Sequence, residues 1–562
     1  MARKQRSNPA APAGLWERAD MREALADRDL GAVITIFRKW TGASQTDVGI
    51  LLGLSQPHVS DFERGIRRAT SMAMFERFAD GLGIPRPLLG LGEPSSHATE
   101  PETQDVQQRE PARQAPSINS VEFVEWIAEH SGPGFREVYE RLAARIQQLQ
   151  HSPEPERRHR AYLRDRVTRE QLATALADYY PPPLAEGCSF YRVQVDGKPL
   201  STTVLTRPSW VQAHIRLGAE AERFEYVPPS AAPVPPPRLG DDAITAAINR
   251  LAEAELSATV LTNDPVYRLL RVTAERERLD AAVALMPFAD YALTMDLLEA
   301  ELVDALAEHN AMGPAAAGGR RLSLPLRDTY LPSVLHALDM ERRACAGGPV
   351  ALLAAARPAG PGGRRPPDYA LLVQERSPRV LNAVGKLAVI PKAFHQPTVE
   401  PAAEASLSTT LQRELEEELL GRAELGSLFG EDFRKVDPLH AGLLSPPLRW
   451  LLDHQDTGGY RTECVGFGIN LLSGNYEFAC LILIDDEEWW ARFGSQVEAN
   501  WEIERIHLYS SHDTAGLRDL MRDSRWSNEG LFALSQGLRR LAELDRTQRV
   551  AAPRIEVGAP DG

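Results

Sequence analysis

The sequence predicts a multidomain α+β protein with three folded parts: an N-terminal all-α bundle, a middle mixed α/β region and a C-terminal α/β/α sandwich. One observation behind this prediction is the length of 562 residues, which is too long for one domain. Another is a set of breaks rich in Pro, Gly or polar residues. The third is the apolar periodicity, which is helical near the N-terminus and alternates between strands and helices beyond residue 320.

The breaks divide the chain into seven segments. A polar stretch rich in Pro, Glu and Gln follows the first bundle, and a Gly-rich stretch precedes the last domain. Neither stretch has the apolar periodicity of a packed element. The predicted segments are a flexible basic N-terminal arm (1–29), the all-α bundle (30–91), a disordered linker (92–119), a middle α+β domain of unknown role (120–311), a short linker (312–319), the sandwich (320–545) and a disordered tail (546–562).

The composition is that of a globular protein, with 43% hydrophobic and 25% charged residues. No apolar run approaches the ~20 residues that span a bilayer, and the start lacks the apolar core of a signal peptide. The four cysteines are scattered, without the paired spacing of a zinc site or a disulfide framework. We therefore expect a cytoplasmic protein with reduced thiols and no membrane partner.

Residues 44–65 predict two short helices joined by a tight turn. Ser44 and Ser55 are suited to cap the two helices. Gly53 supplies the turn between them, and Gly65 ends the second helix because glycine tolerates the left-handed conformation. The segment is therefore predicted to be a helix-turn-helix.

The polar side chains that this pattern leaves outside can reach base edges and phosphates. Residues 1–90 hold 13 Arg and Lys against 10 Asp and Glu, whereas the whole chain carries a net charge of −15. Only this part of the chain is suited to a polyanion. We expect DNA contacts from Gln45, Gln56, Pro57, His58, Ser60, Asp61, Arg64, Arg67 and Arg68.

Residues 30–91 resemble the lambda-repressor-like helix-turn-helix family, also called the XRE family. The resemblance rests on the Ser-Gln start, the Leu-Gly-Leu-Ser turn and the Phe-Glu-Arg-Gly ending. Gly49 departs from the family, in which alanine is usual. The resemblance implies a five-helix bundle, a double-stranded DNA operator and a homodimer, since dimers usually read operators with half-sites about one helical turn apart. The alternative is a helical bundle without a nucleic-acid partner.

In the middle region, helical periodicity from residue 120 gives way to a capped helix start at Thr168 and then to two strands. These strands, 190–195 and 201–205, meet at an Asp196-Gly197 turn. Beyond residue 320 the pattern predicts strands and helices in alternation. The predicted elements there are strands at 350–354, 369–377, 386–391, 464–472 and 478–484, and helices at 406–420 and 517–544.

The helix at 406–420 carries an acidic face. Glu414, Glu417 and Glu418 stand at i, i+3 and i+4, so their carboxylates share one side. Three like charges destabilise a helix unless a cation or an arginine neutralises them, and hard divalent ions prefer such oxygen clusters. A solvated Glu-rich helix, held on the sheet by its leucines, is the alternative.

With the strand and loop before it, the Arg-Glu-Leu-x-Glu-Glu helix resembles the second half of the Nudix box, over residues 320–545. The resemblance implies Mg²⁺ or Mn²⁺ on Glu414, Glu417 and Glu418, with Glu417 and Glu418 as catalytic candidates. It places Arg413 as the orienting arginine, and we add His395 of the preceding loop as a candidate ligand contact.

The first half of the Nudix box does not match. Ala405 and Val399 stand where the family has glutamate and glycine, and Gly421 falls one residue late. The loss of one carboxylate and of the glycine turn weighs against metal binding, and more strongly against hydrolysis.

We therefore expect a sequence-specific DNA-binding transcriptional regulator whose Nudix-like C-terminal domain senses a nucleotide-related or phosphorylated metabolite. One alternative is a metal-dependent Nudix hydrolase of nucleoside diphosphate derivatives that carries a DNA-binding module. Another is a scaffold that recruits protein partners to DNA. The operator, the effector and the sign of regulation are left open.

Overall fold

The computed structural model divides into two compact units, Met1–Ala112 and Arg113–Gly562. In the first, it describes 15–16, 18–26, 30–41, 43–52, 59, 62–64, 78, 82–85 and 88. In the second, it describes 120–557 except for 186, 219, 232–238, 258, 260, 313–321, 361–364, 378–379, 381–382, 421–443, 456, 495–496 and 498–502.

The described part of the N-terminal unit is helical around one apolar core. Its complete helices are α1 (Ala19–Ala26), α2 (Leu30–Thr41) and α3 (Gln45–Leu52). On α2 the apolar residues recur at helical spacing, so Val33, Ile34 and Phe37 are buried together. Helix α1 corrects one prediction: residues 1–29 are not all a flexible arm, because residues 19–26 are helical and Met21 and Leu25 pack into this core.

The second unit contains a 10-stranded sheet with the order β12-β8-β7-β11-β10-β2-β1-β13, to which β3 and β9 add at β10 and β8. A separate three-stranded sheet has the order β4-β6-β5. The strands are β1 (Ser189–Val195), β2 (Lys198–Thr206), β3 (Ile215–Arg216), β4 (Glu222–Tyr226), β5 (Pro265–Ala274), β6 (Leu279–Pro287), β7 (Gly347–Arg357), β8 (Asp368–Arg376), β9 (Leu387–Val389), β10 (Tyr460–Asn470), β11 (Asn475–Ile484), β12 (Ile503–Ser510) and β13 (Ile555–Val557).

The described residues of this unit also form α-helices, some of which lie against the large sheet. They are α4 (Val121–His130), α5 (Phe135–His151), α6 (Glu154–Asp165), α7 (Arg169–Tyr179), α8 (Pro208–Val211), α9 (Asp241–Ser257), α10 (Phe288–Ala292), α11 (Leu297–Met312), α12 (Pro325–Tyr330), α13 (Val334–Leu338), α14 (Leu407–Glu414), α15 (Pro446–Asp453), α16 (Glu487–Phe493), α17 (Thr514–Arg522) and α18 (Asn528–Leu544).

The central strands are buried along their whole length because both faces are covered. One face packs against α17 and α18, and the other packs against α14, α15 and the elements before residue 345. β11 runs parallel to β7, and Tyr476 pairs with Gly347. A Cβ on Gly347 would lie 1.9 Å from the carbonyl oxygen of Tyr476, so this position requires glycine. The layers are those of an α/β/α arrangement.

Two predicted segment boundaries differ from the structure. β1 and β2 come from the predicted middle domain, but they continue the sheet built by residues beyond 345. The predicted disordered tail is ordered as far as 557, because Ile555–Val557 form β13 and pair with β1. An edge strand this short leaves little periodicity for the sequence to reveal. The predicted linker 92–119 lies outside the described residues.

The local signals in the middle region are confirmed. Thr168 and Gln171 form a reciprocal capping box at the start of α7. Asp196 and Gly197 both have positive φ, as the predicted two-residue hairpin turn requires. The four cysteines are buried and form no disulfide in the structure, although the register of β10 and β11 places Cys464 directly opposite Cys480.

Candidate functional site

The N-terminal unit holds the parts of the predicted helix-turn-helix that the structure describes. Val48 on α3 and Val59 and Phe62, both helical, are buried in one core. The Phe62 ring meets the Phe78 ring edge to face at 5.5 Å. The first helix of the motif and the helical residues 59, 62 and 63 therefore share a core.

Three polar side chains brace these helices. Arg38 on α2 pairs with Glu63 at 2.5 Å, and its Nε donates to the Ala43 carbonyl at 3.0 Å. Gln45, the first residue of α3, donates from Nε2 to the other Glu63 carboxylate oxygen at 2.5 Å. Glu63 thus joins both preceding helices by charge-assisted hydrogen bonds.

This brace revises what is expected of two predicted DNA contacts. The Gln45 amide nitrogen serves Glu63, so Gln45 positions the second helix besides any contact with DNA. Arg64 follows Glu63 and is exposed, as a phosphate contact would require. The other predicted contacts, Gln56, Pro57, His58, Ser60, Asp61, Arg67 and Arg68, lie outside the described residues.

In the second unit, the acidic helix lies on the sheet face opposite α18. Its leucine stripe is buried as the sequence predicts, with Leu407, Leu411, Leu415 and Leu419 all inside the core. The helix is α-helical to Glu414 and then widens into a π turn over Leu415–Leu419. A π turn alters the spacing of side chains, so the predicted i, i+3, i+4 face is not a regular α-helical one.

Arg413 is fully enclosed and holds the loop before the helix. Its Nη1 donates to the Gln396 carbonyl at 2.8 Å, and its Nη2 pairs with Glu414 at 3.0 Å. Burial alone would lower the pKa of Arg413, but the carboxylates of Glu414 and Glu417 raise it above its usual value. Its charge is therefore matched inside the protein.

The neighbouring glutamates are also used by the protein itself. Glu418 is buried, and its Oε2 accepts from the Lys392 backbone N–H at 3.3 Å. Glu416, which the sequence did not single out, is buried and accepts from the Ser445 N–H at 2.7 Å. Glu417 is half-buried. These contacts fasten the helix to the loop on one side and to the start of α15 on the other.

The arrangement does not fit the metal set implied by the Nudix resemblance. Within the part of the chain that the structure describes, no three His, Cys, Asp or Glu side chains form a group that could hold a metal ion. Glu414 is turned to Arg413 and Glu418 to Lys392, so Glu414, Glu417 and Glu418 do not converge as ligands. We derive no metal-dependent step from them.

His395 lies in the same loop but is closed off. Its ring is fully buried between Tyr267, at 4.3 Å between ring centroids, and Phe224, at 5.5 Å. Burial, aided by the positive charge of Arg413, lowers the pKa of His395 to about 3, so the ring is neutral. In this conformation His395 is a core residue that joins the loop to the three-stranded sheet.

We consider two cavities lined by described residues of this unit. One, of about 430 Å³, is lined by Trp450 and His454, by Asp485, Asp486 and Glu488, and by the 457–459 turn. Its three carboxylates favour hydrogen-bond donors or cations over a phosphate. The other, of about 520 Å³, lies between α7 and α11 and combines Leu306, Leu322 and Leu324 with polar residues such as Asp178 and Asn310. Both volumes fall in the range of small-molecule sites.

Comparison with known families identifies the N-terminal unit. A family model described as a helix-turn-helix domain matches residues 29–90. No curated protein matches the chain. None of the described helices is both long and apolar enough to cross a membrane. The chain thus carries the helix-turn-helix domain of a DNA-binding regulator.

Proposed function

We propose, from the helix-turn-helix domain at residues 29–90, that the protein is a sequence-specific transcriptional regulator whose C-terminal Nudix-like domain is a ligand sensor. The observation that carries the proposal is the match to this domain together with the brace of Arg38, Gln45 and Glu63. The brace joins Glu63 to α2 and α3. Side chains that contact base edges must be held in a fixed orientation by the elements that carry them.

The distribution of charge supports the division of roles. Residues 1–90 carry a net charge of +3, while the rest of the chain carries −18. DNA attracts the first part and repels the second. A single helix-turn-helix per chain further favours a homodimer on a two-fold symmetric operator.

The sensor assignment for the C-terminal domain rests on the α/β/α layering and on the glutamates of its acidic helix. Glu416 and Glu418 accept backbone N–H groups, and Glu414 neutralises Arg413. Groups used in this way stabilise a fold instead of activating water. The cavity between α7 and α11 supplies space for a small molecule, whereas the three carboxylates of the other cavity disfavour a phosphorylated one. A nucleoside diphosphate derivative is the first class of effector to test, because the Nudix resemblance implies it.

A panel of nucleoside diphosphate derivatives tests the sensor role. The full-length protein is incubated with each compound and Mg²⁺ or Mn²⁺, and product formation and thermal unfolding are followed together. We expect a rise in the melting temperature without turnover, and the stabilising compound should then change DNA affinity by about 5–150-fold. Glu417→Gln is the matched control, because it removes the carboxylate on which Nudix-type turnover would depend.

The other outcomes identify the alternatives. Turnover that Glu417→Gln abolishes would make the protein a hydrolase with a DNA-binding module. If no compound stabilises the protein and none is turned over, the remaining hypothesis is a scaffold that recruits protein partners to DNA.

A further inference from the structure

Arginines from three elements meet at one carboxylate on the side of the large sheet where α18 lies. Arg540 of α18 donates from Nε to one oxygen of Glu463 on β10 at 2.7 Å. Arg461, two residues earlier on β10, has its Nη1 3.5 Å from the other oxygen. Arg216 of β3 is the cross-strand partner of Glu463, so the two side chains leave the strands on the same face, with Cβ atoms about 5 Å apart. The three arginines therefore share one small region around Glu463.

Glu463 lies deeper than the arginines that it holds. Its side chain is 5% exposed, against 19% for Arg540 and 32% for Arg461, and Arg216 is exposed. A carboxylate beneath a guanidinium group fixes its orientation through charge-assisted hydrogen bonds. Each guanidinium group has five N–H donors, and Arg216 uses none of them on a described residue. The cluster thus offers unused donors on its solvent side.

The charge of this cluster is positive. Arg539, His214 and Glu543 lie beside it, and the Glu543 carboxylate is 3.1 Å from Arg540 and 3.8 Å from the His214 ring. Burial lowers the pKa of His214, Arg540 and Arg539 lower it further, and Glu543 opposes them, so the ring is neutral at pH 7. Four arginines thus meet two glutamates, in a part of the chain, 91–562, that carries a net charge of −18. An anion is attracted here and repelled by most of the surrounding protein.

We propose that the cluster of Arg216, Arg461 and Arg540, with Glu463 beneath it, binds the phosphoryl group of the effector. A planar guanidinium fork matches two oxygens of a phosphate at once, and several arginines together suit a ligand with more than one negative charge. Neither of the two cavities described above is lined by an arginine or a lysine, so the phosphoryl group is placed outside both.

This site is separate from the acidic helix. Arg540 belongs to α18, and the acidic helix lies on the opposite face of the sheet, so a phosphate held by these arginines needs no metal ion on the helix glutamates. The inference rests on the proposed sensor role and deepens it, because it names the group that the sensor holds and the residues that hold it. The backbone of duplex DNA offers the same phosphate chemistry, and the experiment separates the two sources.

Calorimetric titration of the full-length protein with inorganic pyrophosphate, in the presence of EDTA, tests the proposal. We expect saturable binding that sodium chloride of equal ionic strength does not reproduce. Arg216→Gln and Arg461→Gln should each weaken it about 10–100-fold, because each loses a charge-assisted contact. Arg216→Gln should melt like the unsubstituted protein in chloride, since Arg216 is exposed, and its affinity for duplex DNA should not change.

Arg505→Gln is the matched control. Arg505 is also an exposed arginine on a strand without an ion pair to a described residue, but it lies on β12 at one end of the large sheet, with three strands between it and β10. Its loss should leave pyrophosphate binding unchanged.

Three results would overturn the proposal. The first is no binding of pyrophosphate, and the second is equal weakening by Arg505→Gln, which would indicate general charge attraction. The third is an Arg216→Gln variant that loses affinity for duplex DNA but not for pyrophosphate, which would make the cluster a DNA contact. The sensor role is judged apart from this. A nucleoside diphosphate derivative that stabilises Arg216→Gln as well as the unsubstituted protein would keep the sensor and refute this site, whereas pyrophosphate binding with no response to the ligand panel would keep the site and refute the sensor.

Discussion

Buried charges in this protein meet partners both near and far along the chain. Arg357 and Asp368 form two parallel hydrogen bonds of 3.0 and 2.6 Å where β7 and β8 enter their connecting loop. Fully buried Arg327 donates to the carbonyls of Leu471 and Leu472 at 2.6 and 2.8 Å. The sequence singled out neither Glu463 nor Glu416, because a buried partner far along the chain leaves no periodic signal. The sequence pointed to Arg413 and His395 as candidate ligand-binding residues, but it did not show that both are buried in the core.

The brace of the N-terminal unit yields a residue-scale prediction. Glu63→Gln keeps the shape of the side chain but removes its charge, and it turns one of the two oxygens that accept from Arg38 and Gln45 into an NH2 donor. We expect this change to destabilise the N-terminal unit by about 1–2 kcal/mol. Calorimetry of the full chain should show the transition of that unit shifted to lower temperature while that of the second unit stays in place. Lys39→Gln, an exposed change beside Arg38 on α2, should shift the transition of neither unit.

A second residue-scale prediction concerns pH. Burial, with the charges of Asp296 and Glu529, raises the pKa of Glu299 to about 7. The folded state therefore binds more protons than the unfolded state between about pH 4.5 and 7, so this group makes stability fall as pH rises through that window. Glu299→Gln should flatten the fall, measured as the melting temperature across the window. An unchanged slope in the variant would contradict the assignment.

At the scale of elements, local chemistry was predictable where it depended on neighbours in sequence. The Thr168 cap, the Asp196-Gly197 turn and the leucine stripe of the acidic helix all match. The π turn over Leu415–Leu419 and the edge strand β13 were not predicted, because both depend on contacts with distant segments. Periodicity also missed α1, whose short apolar set precedes the recognised family pattern.

The cap gives a prediction at this scale. Thr168→Ala removes the acceptor for the Gln171 N–H, and we expect it to cost about 1 kcal/mol. The urea midpoint of the second unit should fall with no change in slope. Thr174→Ala, on the exposed side of the same helix, serves as the comparison. Equal losses in the two variants would argue against the cap.

At the scale of the whole molecule, charge and composition separated the N-terminal helix-turn-helix unit from the rest of the chain, but the predicted middle domain and sandwich lie in one compact unit. The extent of the large sheet was not predictable. Strand pairing between residues 189–206 and residues beyond 345 is a long-range choice that alternation cannot reveal. The layered arrangement was predicted. The hydrogen bonds and ion pairs that Glu414, Glu416 and Glu418 form within the protein were not.

DNA recognition is tested at this scale. Gln56→Ala should relax base specificity by about 1–3 kcal/mol if, as the sequence predicts, the Gln56 amide contacts a base edge. Arg67→Ala or Arg68→Ala should weaken binding evenly on all sequences and flatten its dependence on salt. Titrations against the cognate and a scrambled operator at two salt concentrations measure both effects. Equal loss on both DNAs for Gln56→Ala would remove it from the base contacts.

The pairing of β1 with β13 also has a consequence for synthesis of the protein. Val193 pairs with Val557, so the sheet stays incomplete until the ribosome has released residues 555–557. The N-terminal unit can fold earlier, because the residues of its described core all lie within 15–88. Topologies with so many distant contacts fold slowly. A nascent chain would thus hold a finished helix-turn-helix unit before the large sheet is complete, so the sensor that we propose could not yet act on any DNA bound by that unit.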